Sequence, residues 1–328
     1  EDFDHFEFVS DYEIRGLNNH YHGYGLGVPL IAVRRSYEGE PPAAKYYPPD
    51  LSFPVTAFVR PAADEDPSSV DEGARHRGVL EVYDTATTTD VAAGGVRVPL
   101  ESDLSTPLAY FLSGSKLSSL ATVGLLRPDL LLAGGPDRPH PISGLYMVQP
   151  YEAGKIPVLM IHGLWSSPMT WMQMFNDLRA SPEIRDRYQF WFYVYPTGQP
   201  FWISAAQLRR DLAEVRKVID PQHQEPALDQ MVLVGHSMGG LVARLQTIDS
   251  RDDFWRLVSD QPFSLIQAKP RIRQELEETF FFEPNPSVRR VVTIGTPHRG
   301  SEFSNLTTQW ISSKLIRLPR ALVRSQKA

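Results

Sequence analysis

Four short apolar runs that alternate with amphipathic segments are the feature of this sequence that most constrains its fold. The runs are Ile156–Ile161, Gln189–Tyr195, Gln230–Val234 and Val288–Ile294. Strands that are apolar at almost every position are buried on both faces, and strands joined by helices lie parallel to each other. The sequence therefore predicts an α/β fold, with a mostly parallel sheet and flanking helices.

Two patterns predict where helices of this fold begin. Ser167 followed by Pro168 is typical of a helix N-terminus, because serine caps free N–H groups and proline has a helical φ. Ser204 and Gln207 have the spacing of a capping box, and apolar residues follow at helical intervals. We therefore expect one helix to begin at Ser167 and another at Ser204.

The N-terminal region, residues 1–140, contains a different kind of segment. Short runs rich in valine, threonine and aromatic residues are bounded by turn formers, which is the pattern of β-strands. These runs are Phe53–Arg60, Gly78–Asp84 and Val96–Leu100. They predict a small β-sandwich-like module around residues 50–100, and residues 141–328 are then expected to form the α/β core.

Residues 250–287 interrupt the alternation of strands and helices and predict an insertion in the core. The segment is rich in aromatic residues, among them Phe254, Trp255 and Phe280–Phe282. An apolar insertion beside the carboxyl ends of parallel strands borders the site and shields a substrate from water, which predicts a lid. The alternative is that these side chains form the core of the insertion itself.

Composition excludes several classes of protein. The sequence has 33 Lys and Arg against 39 Asp and Glu, a net charge of −6, and no basic block, so nucleic acid is not expected as a partner. It has no cysteine, which excludes disulfides, thiolate zinc sites and a cysteine nucleophile. Gly23, Gly25 and Gly27 lack the spacing of a dinucleotide-binding loop, and the acidic stretch Asp64–Ser69 is interpreted as a solvated loop. We therefore expect no cofactor and no metal ion.

The segment Gly235–Gly239 carries the clearest catalytic pattern. Its sequence, Gly-His-Ser-Met-Gly, fits the nucleophile elbow G-x-S-x-G and lies between an apolar strand and a helix, where that elbow is found. The sharp turn exposes the serine hydroxyl, so that a histidine from a loop can remove its proton. Ser237 is therefore the predicted nucleophile.

A second part of the site is predicted directly after the first apolar strand, at His162, Gly163 and Leu164. Acyl transfer develops an oxyanion that needs two backbone N–H donors, one after the nucleophile and one from this loop. Leu164 and Met238 are the predicted donors of this oxyanion hole. We interpret His162 as a residue that supports the loop by hydrogen bonding, and Gly163 and His236 as further supporting residues.

Three motifs taken together resemble the lipase-like branch of the α/β-hydrolase superfamily. They are HGL at 162–164, GHSMGG at 235–240 and TPHRGS at 296–301. Residues 20–150 also look like the front half of uncharacterised bacterial hydrolases of that branch. The resemblance implies a serine esterase, with Ser237 as nucleophile and Leu164 and Met238 as oxyanion donors.

The family's catalytic acid and histidine follow the serine, on loops after later strands. His298 is the only histidine after Ser237, and 33 residues of the 328 remain after Gly295. Two further strands and a crossover need about that many residues, so we expect a chain truncated at its C-terminus that lacks both groups. His298 is then either the base or a structural residue near the site. As a base it would need an acid from Asp249, Asp252, Asp253 or Asp260.

Three functions are compatible with this sequence. The first is a serine hydrolase that cleaves carboxylic esters, lipid-like ones above all, through an acyl-enzyme on Ser237. The second is a non-catalytic module of the same fold that binds a ligand or a partner. The third is an acyltransferase or amidase that uses the same nucleophile.

Contact with a membrane surface and the compartment are left open by the sequence. Trp310–Leu318 has amphipathic helical spacing with basic residues, which fits docking on the protein or contact with a membrane surface. No apolar run approaches the roughly 18 to 20 residues of a spanning helix. The absence of cysteine is compatible with the cytoplasm and the cell envelope alike, and the oligomeric state is not predicted.

Overall fold

The computed structural model describes residues 3–61, 78–113 and 143–300, which divide into two compact units. Within the described residues, the first unit contains 3–40, 48–61, 78–113 and 172–186, and the second contains 41–47, 143–171 and 187–300. The segments Asp64–Ser69 and Trp310–Leu318, for which the sequence predicts a loop and a helix, lie outside the described residues.

The first unit is rich in β-strands, as the sequence predicts. Its strands are β1 (Phe3–Phe8), β2 (His22–Gly23), β3 (Val28–Arg34), β4 (Ser52–Pro61), β5 (Gly78–Asp84), β6 (Asp90–Ala93), β7 (Val96–Pro99) and β8 (Ser102–Asp103). A four-stranded antiparallel sheet has the order β1-β3-β4-β5, while β2 pairs with β8 and β6 with β7. Ile31, Ala32 and Val55 are buried in the two central strands, so this sheet contributes the core of the unit.

Helices α1 (Thr106–Ser113), α2 (Met172–Ala180) and α3 (Pro182–Arg185) also belong to the first unit, with a 3-10 turn at Val9–Asp11. Polar contacts tie α2 to this unit, although its sequence lies between two strands of the second. The Asn176 amide donates a hydrogen bond to the Asn19 carbonyl and accepts one from the Ser105 hydroxyl, each at 2.9 Å. Arg179 is buried and donates to the Leu104 carbonyl. Such contacts leave no hydrophobic pattern, and the sequence alone groups these residues with the α/β core.

The second unit contains the predicted, mostly parallel sheet. Its strands are β9 (Gly144–Met147), β10 (Ile156–Ile161), β11 (Tyr188–Val194), β12 (Met231–His236) and β13 (Val288–Ile294). The order is β13-β12-β10-β11-β9, with the first four strands parallel and β9 antiparallel to β11. The α/β fold class with a separate β-rich N-terminal part is therefore confirmed. Because β10 and β12 are neighbours, the loops that follow them meet at one edge of the sheet.

In the described part of the second unit, the α-helices are α4 (Phe201–Ile219), α5 (Met238–Arg244), α6 (Asp253–Arg256) and α7 (Pro270–Phe280). Shorter 3-10 helices cover Pro42–Tyr46, Pro168–Trp171, Pro226–Gln230 and Phe263–Leu265. Leu159 and Leu233 of the sheet and Leu208 of α4 are fully buried in one apolar cluster. None of the helices in the described ranges combines the length and the apolarity that crossing a bilayer requires.

The predicted start of α4 is wrong. The helix begins at Phe201, with Pro200 at the N-cap position, so Ser204 and Gln207 lie inside it. The Gln207 amide donates to the Asp211 carboxylate at 2.8 Å instead of capping the backbone. Proline has a fixed φ and no N–H to satisfy, so a chain turn at Pro200 starts a helix without a capping side chain.

Candidate active site

Ser237 lies in the sharp turn between β12 and α5, with φ 50° and ψ −121°. A serine rarely adopts a positive φ, so the surrounding structure must hold this strained turn in place. The flanking glycines are required by space. A Cβ on Gly235 would lie 2.5 Å from the Gly240 nitrogen, and one on Gly239 would overlap the Ile161 carbonyl oxygen. The pattern that identified the elbow is therefore the pattern that its packing demands.

The elbow is anchored by backbone and side-chain contacts on the β13 side. The Ser237 N–H donates to the Ile294 carbonyl at 2.9 Å, and the Gly240 N–H donates to the Ser237 carbonyl at 3.0 Å. Thr296 packs so closely on the first turn of α5 that a Cβ on Gly240 would overlap its hydroxyl. These contacts fix the Ser237 backbone relative to the end of β13.

The loop after β10 lies directly against the elbow. A Cβ built on Gly163 would lie 3.0 Å from Ser237 Cβ and 3.0 Å from His236 Nδ1, so only glycine fits here without displacement. Leu164 follows in the same turn and is half-buried. Among hydrogen bonds between described residues, none uses the backbone N–H of Leu164 or of Met238. Both N–H groups thus lie on segments adjoining Ser237.

His162 is buried at the end of β10, with 2% of its surface exposed. Its Nδ1 lies 3.1 Å from the Gly163 carbonyl, and because a carbonyl only accepts, Nδ1 carries the proton. The ring stacks on Tyr195 at 4.5 Å, and the Tyr195 hydroxyl donates to the His162 carbonyl at 2.7 Å. Burial lowers the pKa of His162 to about 4, so the imidazole is neutral at pH 7. These contacts hold His162 at the start of the loop after β10, and its role in supporting that loop stays a prediction.

The His236 imidazole lies between the loops that follow β10 and β13. Its Nδ1 faces Gly163, its Nε2 would lie 4.0 Å from a Cβ on Gly295, and Trp171 meets its ring edge-on at 6.4 Å. Nδ1 is buried and has no hydrogen-bond partner among the described residues. The His236 ring therefore packs against its neighbours through van der Waals contacts, and no hydrogen bond from Nδ1 to a described residue holds it.

His298 follows β13 by four residues, and it makes no hydrogen bond to Ser237 among the described residues. Its Nε2 lies 3.3 Å from the Thr293 hydroxyl, and the residue is exposed. Between described residues, no hydrogen bond links the Ser237 hydroxyl to any histidine. Both roles of His298, as the base and as a structural residue near the site, stay predictions.

The aromatic residues of the insertion at 250–287 pack mainly on each other. Trp255 meets Phe263 at 5.2 Å and Phe280 at 5.5 Å, and Phe263 meets Phe281 at 4.9 Å. Trp255 and Phe280 are buried in this cluster. The contacts are those of a small core within the insertion, so the aromatic composition has an explanation that needs no lid.

Trp165 is a residue of the site that sequence reasoning misses. It follows Leu164 directly, has φ 54°, and keeps 50% of its surface exposed. Met169, in the 3-10 helix that follows, is 40% exposed. The only signal in the sequence is that a large aromatic residue follows the predicted oxyanion donor. Among the described residues, no group of three or more metal-binding side chains is brought together.

Comparisons with known proteins agree with this fold. Residues 152–257, which include β10 to β12 and the elbow, match the family model described as the PGAP1-like alpha/beta domain. No curated protein matches the chain significantly. Together with the parallel sheet and the elbow, the family match shows a hydrolase-type α/β fold in the second unit.

Two solved structures are similar over about half of the chain. The mature form of the lipase BlEst2 from Bacillus licheniformis is 21% identical, with a TM-score of 0.30 over 52% of this chain and 56% of that one. The propeptide form of the same lipase is 20% identical, with a TM-score of 0.28 over 51% of this chain and 28% of that one. This chain therefore spans little more than half the length of the mature lipase.

Proposed function

We propose that this protein is a serine hydrolase that cleaves carboxylic esters through an acyl-enzyme on Ser237. The observation that carries the proposal is the strained conformation of Ser237 in a strand-to-helix turn, with φ 50°. Such a turn projects the serine side chain from the end of the sheet. A nucleophile requires a hydroxyl that a substrate can reach, and Ser237 is only half-buried in this turn.

The proposed oxyanion hole is formed by the backbone N–H groups of Leu164 and Met238. Its support is the close packing of Gly163 on Ser237, which brings the loop after β10 to the elbow without a side chain between them. Donors fixed before the reaction stabilise the developing oxyanion because no reorganisation is needed at that moment. The neutral, buried His162 would keep this loop rigid.

The proposed substrates are esters with apolar, lipid-like acyl groups. Support comes from the exposed apolar side chains of Trp165 and Met169, which follow the proposed oxyanion donor in the sequence. When an acyl chain covers apolar surface of this kind, water is excluded from both, and this contributes favourably to the free energy of binding.

The experiment that tests the nucleophile compares Ser237→Ala with the wild type and with Ser264→Ala, a control that changes an exposed serine of the insertion. A fluorophosphonate should label the wild type and the control but not Ser237→Ala. Turnover of p-nitrophenyl esters should fall by about 10⁴-fold or more in Ser237→Ala. Equal labelling or equal turnover in Ser237→Ala would contradict the proposal.

Deacylation and attack both require a general base, because a serine hydroxyl is a weak nucleophile. His298 is the one histidine that follows Ser237 in the sequence. A His298→Ala variant separates its two roles. Loss of turnover with Tm unchanged assigns it to proton transfer, and a lower Tm with turnover unchanged assigns it to structure.

A non-catalytic module that binds an acyl ligand is the second candidate function. It is favoured by the absence of a hydrogen bond between the Ser237 hydroxyl and any histidine among the described residues. Binding of an alkyl boronate without ester turnover and without fluorophosphonate labelling would support it. Transfer of the acyl group to an added alcohol or amine, in preference to water, would instead identify the acyltransferase alternative.

A further inference from the structure

Trp165 combines a strained backbone conformation with an exposed side chain. Its φ of 54° is an outlier for a bulky residue, which normally leaves this region to glycine and asparagine. Half of its surface is exposed, and no hydrogen bond or ring contact joins its indole to another described residue. The fold therefore holds a strained backbone that presents a large apolar ring to solvent.

The position of Trp165 relates this ring to the reacting carbonyl. It is the residue after Leu164, whose N–H is the proposed oxyanion donor, and two residues after Gly163, which contacts Ser237. Met169, four residues further along the same connection, is also an exposed apolar residue. A carbonyl group bound in the proposed oxyanion hole would thus contact the residue that directly precedes Trp165.

We infer that Trp165 is a specificity-determining residue, whose indole contacts the acyl chain of a medium-chain ester held at Ser237. The inference rests on the proposed function. Backbone strain persists where the surrounding structure enforces it, and it clusters at ligand-binding positions. An indole offers a rigid apolar face at low entropic cost, so an acyl chain of several methylenes gains contact that an acetyl group cannot reach.

The test compares p-nitrophenyl octanoate with p-nitrophenyl acetate, because the leaving group is the same and only the acyl chain changes. In Trp165→Ala, kcat/KM for the octanoate should fall about tenfold relative to the acetate, close to what two buried methylene groups contribute. Trp165→Phe should keep most of this selectivity. Tyr24→Ala removes an exposed aromatic ring of the first unit and should leave the ratio unchanged.

A Trp165→Gly variant separates substrate contact from a structural role. Glycine adopts φ 54° without strain, so its Tm should be no lower than that of the wild type while the octanoate selectivity is lost. A lower Tm, together with an equal loss on both esters, would assign Trp165 to folding and overturn the inference. An unchanged octanoate to acetate ratio in Trp165→Ala would overturn it as well.

Binding of octanoate, measured by calorimetry, provides a readout that does not need turnover. The dissociation constant should rise about tenfold in Trp165→Ala, because the methylene groups of octanoate then have no indole to cover them. If octanoate binds the wild type and Trp165→Ala equally, the inference fails whatever the activity. If binding responds to Trp165 but Ser237→Ala changes no turnover, the proposed function fails and the acyl site stands.

Discussion

Acidification from pH 7 to pH 5 should destabilise this protein through His162. Burial lowers the pKa of His162 to about 4, whereas an unfolded chain restores the ordinary value of 6.5. Between these values the unfolded state binds a proton that the folded state excludes, so the free energy of unfolding falls as the pH falls. This difference in pKa lowers the free energy of unfolding by about 2 kcal/mol between pH 7 and pH 5, and by about 3 kcal/mol over the whole titration. Below pH 4 both states are protonated and the contribution of His162 is constant.

The assay is urea unfolding of the wild type and of His162→Asn at half-unit steps from pH 7 to pH 5. An asparagine amide can donate to the Gly163 carbonyl as Nδ1 does, but it does not titrate. The difference between the two proteins isolates His162, because Asp211, whose pKa is raised by burial, titrates in both. The reasoning is refuted if both proteins lose the same free energy over this range.

Three further predictions concern the packing around the elbow. Gly163→Ala places a Cβ 3.0 Å from Ser237 Cβ, so the loop after β10 should shift slightly. We expect kcat to fall about a hundredfold with Tm little changed. An unaltered kcat would show that the loop tolerates the methyl group. Gly239→Ala meets backbone carbonyls that cannot move aside and should destabilise by about 3 kcal/mol or more, measured by urea unfolding. His236→Ala should lower kcat and speed hydrogen exchange at residues 162–168. His236→Leu, whose side chain fills the Nδ1 position, should restore both readouts. If leucine does not restore them, His236 has a role in proton transfer.

Most elements of the second unit could be predicted because their signals are local. The predicted strands Ile156–Ile161 and Val288–Ile294 coincide with β10 and β13, and the other two differ by one or two residues at their ends. Continuous apolar runs have few alternatives to a buried strand. The start of α4 is not predicted correctly, because the capping-box spacing of Ser204 and Gln207 also occurs inside a helix that begins at Phe201.

Local sequence is enough to specify the elbow, because glycines at 235 and 239 are a direct consequence of the space around a strained serine. The surroundings of the elbow arise only when distant segments come together. The pKa of His162 depends on burial by residues distant in sequence, and the exposure of Trp165 depends on what fails to cover it. The antiparallel position of β9 and the attachment of α2 to the first unit likewise rest on pairings between distant segments. Periodicity and turn chemistry act over a few residues, whereas burial and strand order are properties of the assembled chain.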